Sequence, residues 1–101
     1  MTLKEIKKVA LPACSEFNVK RLYLFGSHAR GNKTSDSDVD LLVEFEEPHL
    51  HLSKRFFGLL HYFEDQLGVK GDLLTPNSLK NPYFRKRVLA ERVNIYDRHS
   101  K

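Results

Sequence analysis

Cysteine occurs once, at Cys14, in a chain of 101 residues. No intramolecular disulfide can form and a cysteine-based metal site is excluded, which agrees with a reducing compartment. The thiol is expected to pack inside a helix as a small apolar group. Long hydrophobic runs are missing too: no stretch approaches the ~20 apolar residues that span a bilayer, and Met1-Thr2-Leu3-Lys4-Glu5 lacks the apolar core of a secretory leader. The expectation is a cytoplasmic chain with no membrane partner. Repeats, low-complexity tracts and interdomain linkers are absent, so residues 1–101 are expected to form one domain. A chain of this size has room for one core but not for a second domain with its own substrate site. A large ligand would therefore be held partly by another molecule.

Two nucleotide and metal motifs are lacking as well. There is no Gly-x-x-x-x-Gly-Lys-Ser/Thr loop, which excludes a P-loop site. The histidines offer one close pair, His49-x-His51, whose spacing fits no closed zinc motif. His28 carries no expected role.

What is present is an ordinary globular composition, 41% hydrophobic and 30% charged, which excludes disorder. The net charge of +4 is concentrated near the C-terminus, where Lys80, Arg85, Lys86, Arg87, Arg92, Arg98 and Lys101 lie. A solvated basic face accounts for it more simply than nucleic acid or an acidic partner does. Tyr83 to Arg87 mixes aromatic and basic residues as nucleic-acid binders do, yet Asn81-Pro82 reads first as the start of a terminal amphipathic helix.

Periodicity supplies the elements. Thr2 caps a helix over 3–17 with Glu5 three residues on, and Leu3, Ile6, Ala10, Ala13 and Phe17 share one face. Pro12 is expected to kink or restart that helix. Residues 19–25 read as a strand inside a sheet that ends at Gly26. Residues 27–37 have room for a short helical turn and a loop. A second strand spans Asp38 to Phe45. Ser53 is expected to cap a helix in which Phe56, Leu60, Phe63 and Leu67 form the core side, with Gly68 as its stop. Phe57 and Tyr62 fall off that stripe and are candidates for contact with a partner chain. A third strand (Val69 to Leu74), a turn or helix start at Thr75-Pro76-Asn77, a basic helix over 82–91 and a short strand over 93–96 complete the chain. The fold class is therefore α/β (α+β), a small mixed β-sheet with helices packed on it.

Alternation along the second strand puts Asp38, Asp40 and Leu42 on one face and Val39, Leu41, Val43 and Phe45 on the other. The two carboxylates sit about 6 to 7 Å apart at Cα, from the rise per residue. Like charges flanked by apolar residues are costly unless a cation neutralises them. All-oxygen ligands favour Mg²⁺ or Mn²⁺, and magnesium completes its shell with substrate phosphates. Upstream, the strand that ends at Gly26-Ser27 aims backbone N–H groups and a hydroxyl outward, a phosphate cradle. Gly26 allows close approach, Ser27 can donate to a phosphate oxygen, and the Arg30 guanidinium lies one helical turn on, with Lys33 a weaker candidate.

Gly26-Ser27, ten residues, then Asp38-Val39-Asp40 resembles the signature of the polymerase-beta-like nucleotidyltransferase superfamily. The segments Leu24 to Gly31 and Ser35 to Val43 narrow the resemblance to the minimal nucleotidyltransferases, over about residues 3–97. That resemblance implies a polymerase-beta-like palm fold and a third carboxylate on a downstream strand, a place that Asp72 fills. It implies transfer of AMP from ATP to a hydroxyl with two Mg²⁺ ions, Asp38, Asp40 and Asp72 acting as catalytic residues and metal ligands and Gly26, Ser27 and Arg30 binding the nucleotide. It further implies a HEPN-domain toxin as partner, modified on a tyrosine and assembled with this chain as its antitoxin. Two other readings stay open: a non-catalytic nucleotide-binding module that sequesters its partner, and a transferase acting on a small-molecule hydroxyl.

Overall fold

The computed structural model describes residues 2–26 and 39–98. Helix α1 (Leu3–Glu16) starts where expected: Thr2 is extended and its hydroxyl accepts from Glu5 N–H at 3.2 Å. Pro12 neither ends nor restarts it, and the helix continues as one element. Both Pro12 and Lys8, whose carbonyl faces the proline ring, lie on the exposed side, where water can serve the carbonyl that loses its partner. The helix closes at Phe17, whose N–H reaches Ala13 O, and Asn18 turns the chain at a φ of 56°.

Four strands follow: β1 (Val19–Phe25), β2 (Val39–Phe45), β3 (Gly71–Leu74) and β4 (Val93–Asp97). Their order across the sheet is β3-β2-β1-β4. β1 is antiparallel to β2 and β4, whereas β2 and β3 run parallel. The parallel pair needs a crossover, and α2 (Leu52–Leu67) provides it. A 3₁₀ turn (Pro76–Ser78) and helix α3 (Pro82–Glu91) lead from β3 to β4. The observed sheet is thus the small mixed one read from the pattern, with β3 starting at Gly71 rather than Val69.

The sheet is covered on both faces. One face packs on α1 and α2 through a cluster that includes Ile6, Ala13, Leu22, Leu41, Leu59 and Phe63. Strict alternation would split Val19 from Leu22, but a register shift between Val19 and Arg21 acts as a bulge and turns Val19, Leu22 and Leu24 to the same side. The other face carries a smaller cluster, Phe25, Leu42, Leu79 and Val88, with Tyr23 and Leu74 beside it.

Two expectations about α2 need correction. Ser53 is not the cap: His51 holds that position in the left-handed region (φ 50°), with no side-chain cap bond. The entry is fixed instead by Arg55, which donates to Leu50 O (2.9 Å), Glu46 O (2.8 Å) and Glu47 O (2.7 Å) and lies 4.9 Å from the Phe45 ring centre. Its Nη1 also lies 3.4 Å from the carbonyls of Phe17 and Asn18, so one guanidinium ties the end of α1 to the loop before α2. Tyr62 is not free for a partner, because its hydroxyl donates to Val9 O at 2.7 Å and staples α2 to α1. Gly68 does stop the helix at φ 67°, its N–H reaching Glu64 O. Phe57 remains 55% exposed.

Candidate functional site

The chemistry-bearing row lies where β1 ends and β2 and β3 begin. Across the antiparallel pair Phe25 is opposite Asp40, and across the parallel pair Asp40 is opposite Asp72. Val39, Leu41 and Leu73 all belong to the helix-backed core. Alternation therefore turns Asp40 and Asp72 to the other face, the side of Phe25 and Leu42. Neighbouring strands lie about 4.8 Å apart, so the two carboxylates stand side by side on one surface. Asp40 is half-buried and Asp72 exposed.

Gly26 adjoins this row and is required twice over. Its φ of 77° is left-handed, and a Cβ there would collide with Asp40 Oδ2 and lie 3.2 Å from Asp40 Cγ. The backbone thus passes directly against the carboxylate. The start of β3 is held by Glu64 of α2, whose carboxylate accepts from Gly71 N–H at 3.1 Å, and Val39 N–H donates to Lys70 O at 3.1 Å. Glu64 is not among the residues that the sequence pattern singled out. An acid one turn from the helix end with a glycine seven residues on is the signal that would have found it.

Asp38, Ser27 and Arg30 lie outside the described residues, as do Lys33 and the short helical turn expected between β1 and β2. Of the six site residues read from the sequence, the structure therefore brings together Gly26, Asp40 and Asp72. No group of three His, Cys, Asp or Glu gathers among the described residues. The two carboxylates present form an all-oxygen donor set on adjacent strands, which suits a hard divalent cation with open positions for water or phosphate. A concavity of about 320 Å³ opens at the other end of β2, lined by Glu44, Phe45, Glu46, Pro48, Thr75 and Pro76, and is separate from this row. No helix among the described residues is long and apolar enough to cross a membrane.

The model of the nucleotidyltransferase domain matches residues 6–95. The chain belongs to that family. This nucleotidyltransferase is 40% identical over 100 residues to the protein adenylyltransferase MntA of Thermococcus cleftensis, covering 94% of the present chain and 97% of the other. It is similar to a solved chain described as a minimal nucleotidyltransferase, at 35% identity and a TM-score of 0.66, covering 92% of this chain and 95% of that one. A chain from the complex of tri-AMPylated Shewanella oneidensis HEPN toxin with MNT antitoxin gives a TM-score of 0.61 over 95% of this chain and 73% of that one. Its 14% identity speaks for the fold alone. The minimal nucleotidyltransferase resemblance, the fold class and the enzyme class thus stand on both sequence and structure.

Proposed function

We propose that this nucleotidyltransferase transfers AMP from ATP to a hydroxyl of a protein, a tyrosine of a HEPN-domain toxin with which it assembles as antitoxin. The observation that carries the chemistry is Asp40 in register with Asp72 beside a glycine that cannot bear a side chain. The relative from Thermococcus cleftensis is named for protein adenylylation, which supports a protein acceptor; the HEPN partner is carried over from the Shewanella oneidensis complex, whose MNT antitoxin shares the fold.

In this reading the acceptor oxygen forms a bond to the α-phosphorus, the bond from that phosphorus to the bridging oxygen breaks, and pyrophosphate leaves. Asp72, exposed at the sheet's end, takes the acceptor proton as general base. Asp40 and Asp72, with Asp38, would hold divalent metal, Mg²⁺ or Mn²⁺. Such ions, when bound, neutralise the triphosphate and stabilise charge on the entering and leaving oxygens. Gly26 lets the phosphates approach the backbone, while Ser27 and Arg30 bind their charge.

The test is intact mass spectrometry of the chain with ATP, Mg²⁺ and a HEPN-domain protein encoded beside it, run alongside the Asp38→Asn, Asp40→Asn double variant. One or more AMP masses added to the HEPN protein by the wild type alone are expected. A tight complex with no added mass would replace catalysis with sequestration, and mass added only to a small-molecule hydroxyl would remove the protein acceptor.

A further inference from the structure

Helix α3 is held to the sheet by little of its surface. Val88 is buried against Leu42 and Leu79, and Phe84 meets Phe25 edge-on at 6.3 Å between ring centres. Arg92, just past the helix, lies 4.3 Å from the Tyr23 ring centre. These three contacts occur at spacings of four residues and define the inner stripe of a helix. The opposite stripe is Tyr83, Lys86, Arg87 and Ala90, all exposed, with Tyr83 82% exposed. A tyrosine that far into solvent buries almost none of its ring, and two adjacent cations flank it.

Position gives that stripe its meaning. Phe84 touches Phe25, and Phe25 is the register partner of Asp40. Helix α3 therefore packs beside the carboxylate row, on the same face of the sheet, and its outer stripe faces away from that sheet. Lys80, just before the helix, adds a further exposed cation. Among the described residues Arg21 pairs with Glu44 at 3.4 Å and with Asp97 at 3.5 Å, and neither Lys86 nor Arg87 takes part in these pairs. A basic face that keeps an exposed aromatic at its centre is complementary to an acidic polypeptide rather than to a neutral one.

We infer that the Tyr83–Lys86–Arg87 face of α3 is the acceptor dock, and that it takes an acidic segment flanking the hydroxyl to be modified. The inference rests on the reading above that the acceptor is a protein. Tyr83 supplies a flat apolar contact, Lys86 and Arg87 supply the charge, and the inner side of the same helix reaches the site row through Phe84 and Phe25. The dock sets the acceptor's affinity and leaves nucleotide binding to the residues around Gly26 and Asp40.

The deciding experiment uses the full chain and a fluorescein-labelled random Glu/Tyr copolymer, with binding followed by anisotropy in the absence of ATP. The Lys86→Glu, Arg87→Glu variant is compared with Lys7→Glu, Lys8→Glu, an equal charge change on exposed positions of α1. The expected result is a loss of copolymer affinity of about 10-fold in the α3 variant and less than about twofold in the α1 variant, with wild-type binding weakening as salt rises. A Lys86→Gln, Arg87→Gln variant with unchanged thermal unfolding should show an intermediate loss. With AMP transfer to the copolymer as a second readout, the α3 variant should raise KM for the acceptor while affinity for a non-hydrolysable ATP analogue is retained. Equal losses in the α1 and α3 variants would reduce the effect to net charge and overturn the dock. A preference of the same residues for single-stranded RNA over the copolymer would overturn it too. Absence of AMP transfer by the wild type to any polypeptide would instead strike the proposed function, with the binding measurement still readable.

Discussion

The two faces of the sheet are built to different ends. The face toward α1 and α2 is a continuous apolar layer in which Leu22, Leu41, Val43, Leu59 and Phe63 are at most 2% exposed. The other face packs four buried residues, Leu42 among them, and carries Phe25, Asp40 and Asp72 in one row across the strands. The difference teaches where stability and chemistry are kept apart. A carboxylate pair can sit at the end of a small sheet because most of the packing that holds the strands lies on the other side.

Breaking the comparison at its polar side should give the largest effect. Asp72→Asn should lower AMP transfer by about 10²–10⁴-fold, the range for a lost general base, while its thermal unfolding stays near wild type because the side chain is exposed. Single-turnover transfer assays beside calorimetry would check both halves, and a matched loss of folding would contradict the separation of faces. On the apolar side Phe63→Ala should cost about 3–5 kcal/mol of stability. Val88→Ala, on the thinner cluster, should cost only about 1–2 kcal/mol from the two methyl groups removed. Urea unfolding of the two variants measures that asymmetry directly, and equal costs would mean that α3 contributes as much to the fold as α2 does.

Smaller effects sharpen the picture at the seams. Arg55→Ala should lose about 2 kcal/mol, since charge-assisted bonds to Glu46, Glu47 and Leu50 carbonyls disappear together and water can reach part of the loop. The smallest effect concerns Cys14. Burial pushes its thiol up from the ordinary 9.0 to about 12, with nearby Arg98 opposing. A thiol whose folded pKa is raised keeps its contribution to stability below pH 9 and loses it as pH climbs toward 12. A thiol reagent at pH 8 should therefore leave the native chain unlabelled and react fully once urea unfolds it.

Much of the fold was legible because its signals are local. Thr2 and Glu5, the alternation of β2 and the glycine at position 68 each speak within one turn or one strand. Pro12 did not restart the helix, since a proline on a solvated helix side costs less than its backbone chemistry alone suggests. Ser53 misled for a different reason: Arg55 gathers five carbonyls from two stretches of chain, residues 17–18 and 46–50, and that demand moved the helix start. Tyr62 looked available for a partner because the carbonyl it binds, that of Val9, lies in another helix.

At the site the division is the same. Sequence by itself determined that Asp40 shares a face with Leu42, because side-chain direction along a strand repeats every two residues, and that β1 ends at Gly26. Only the tertiary structure decided that Asp72 stands opposite Asp40, that Glu64 anchors the strand carrying Asp72, and that Phe84 brings a basic helix to the edge of the row. Register between strands separated by a helix is set by how that helix packs, and the energy of that packing is summed over residues far apart in the chain.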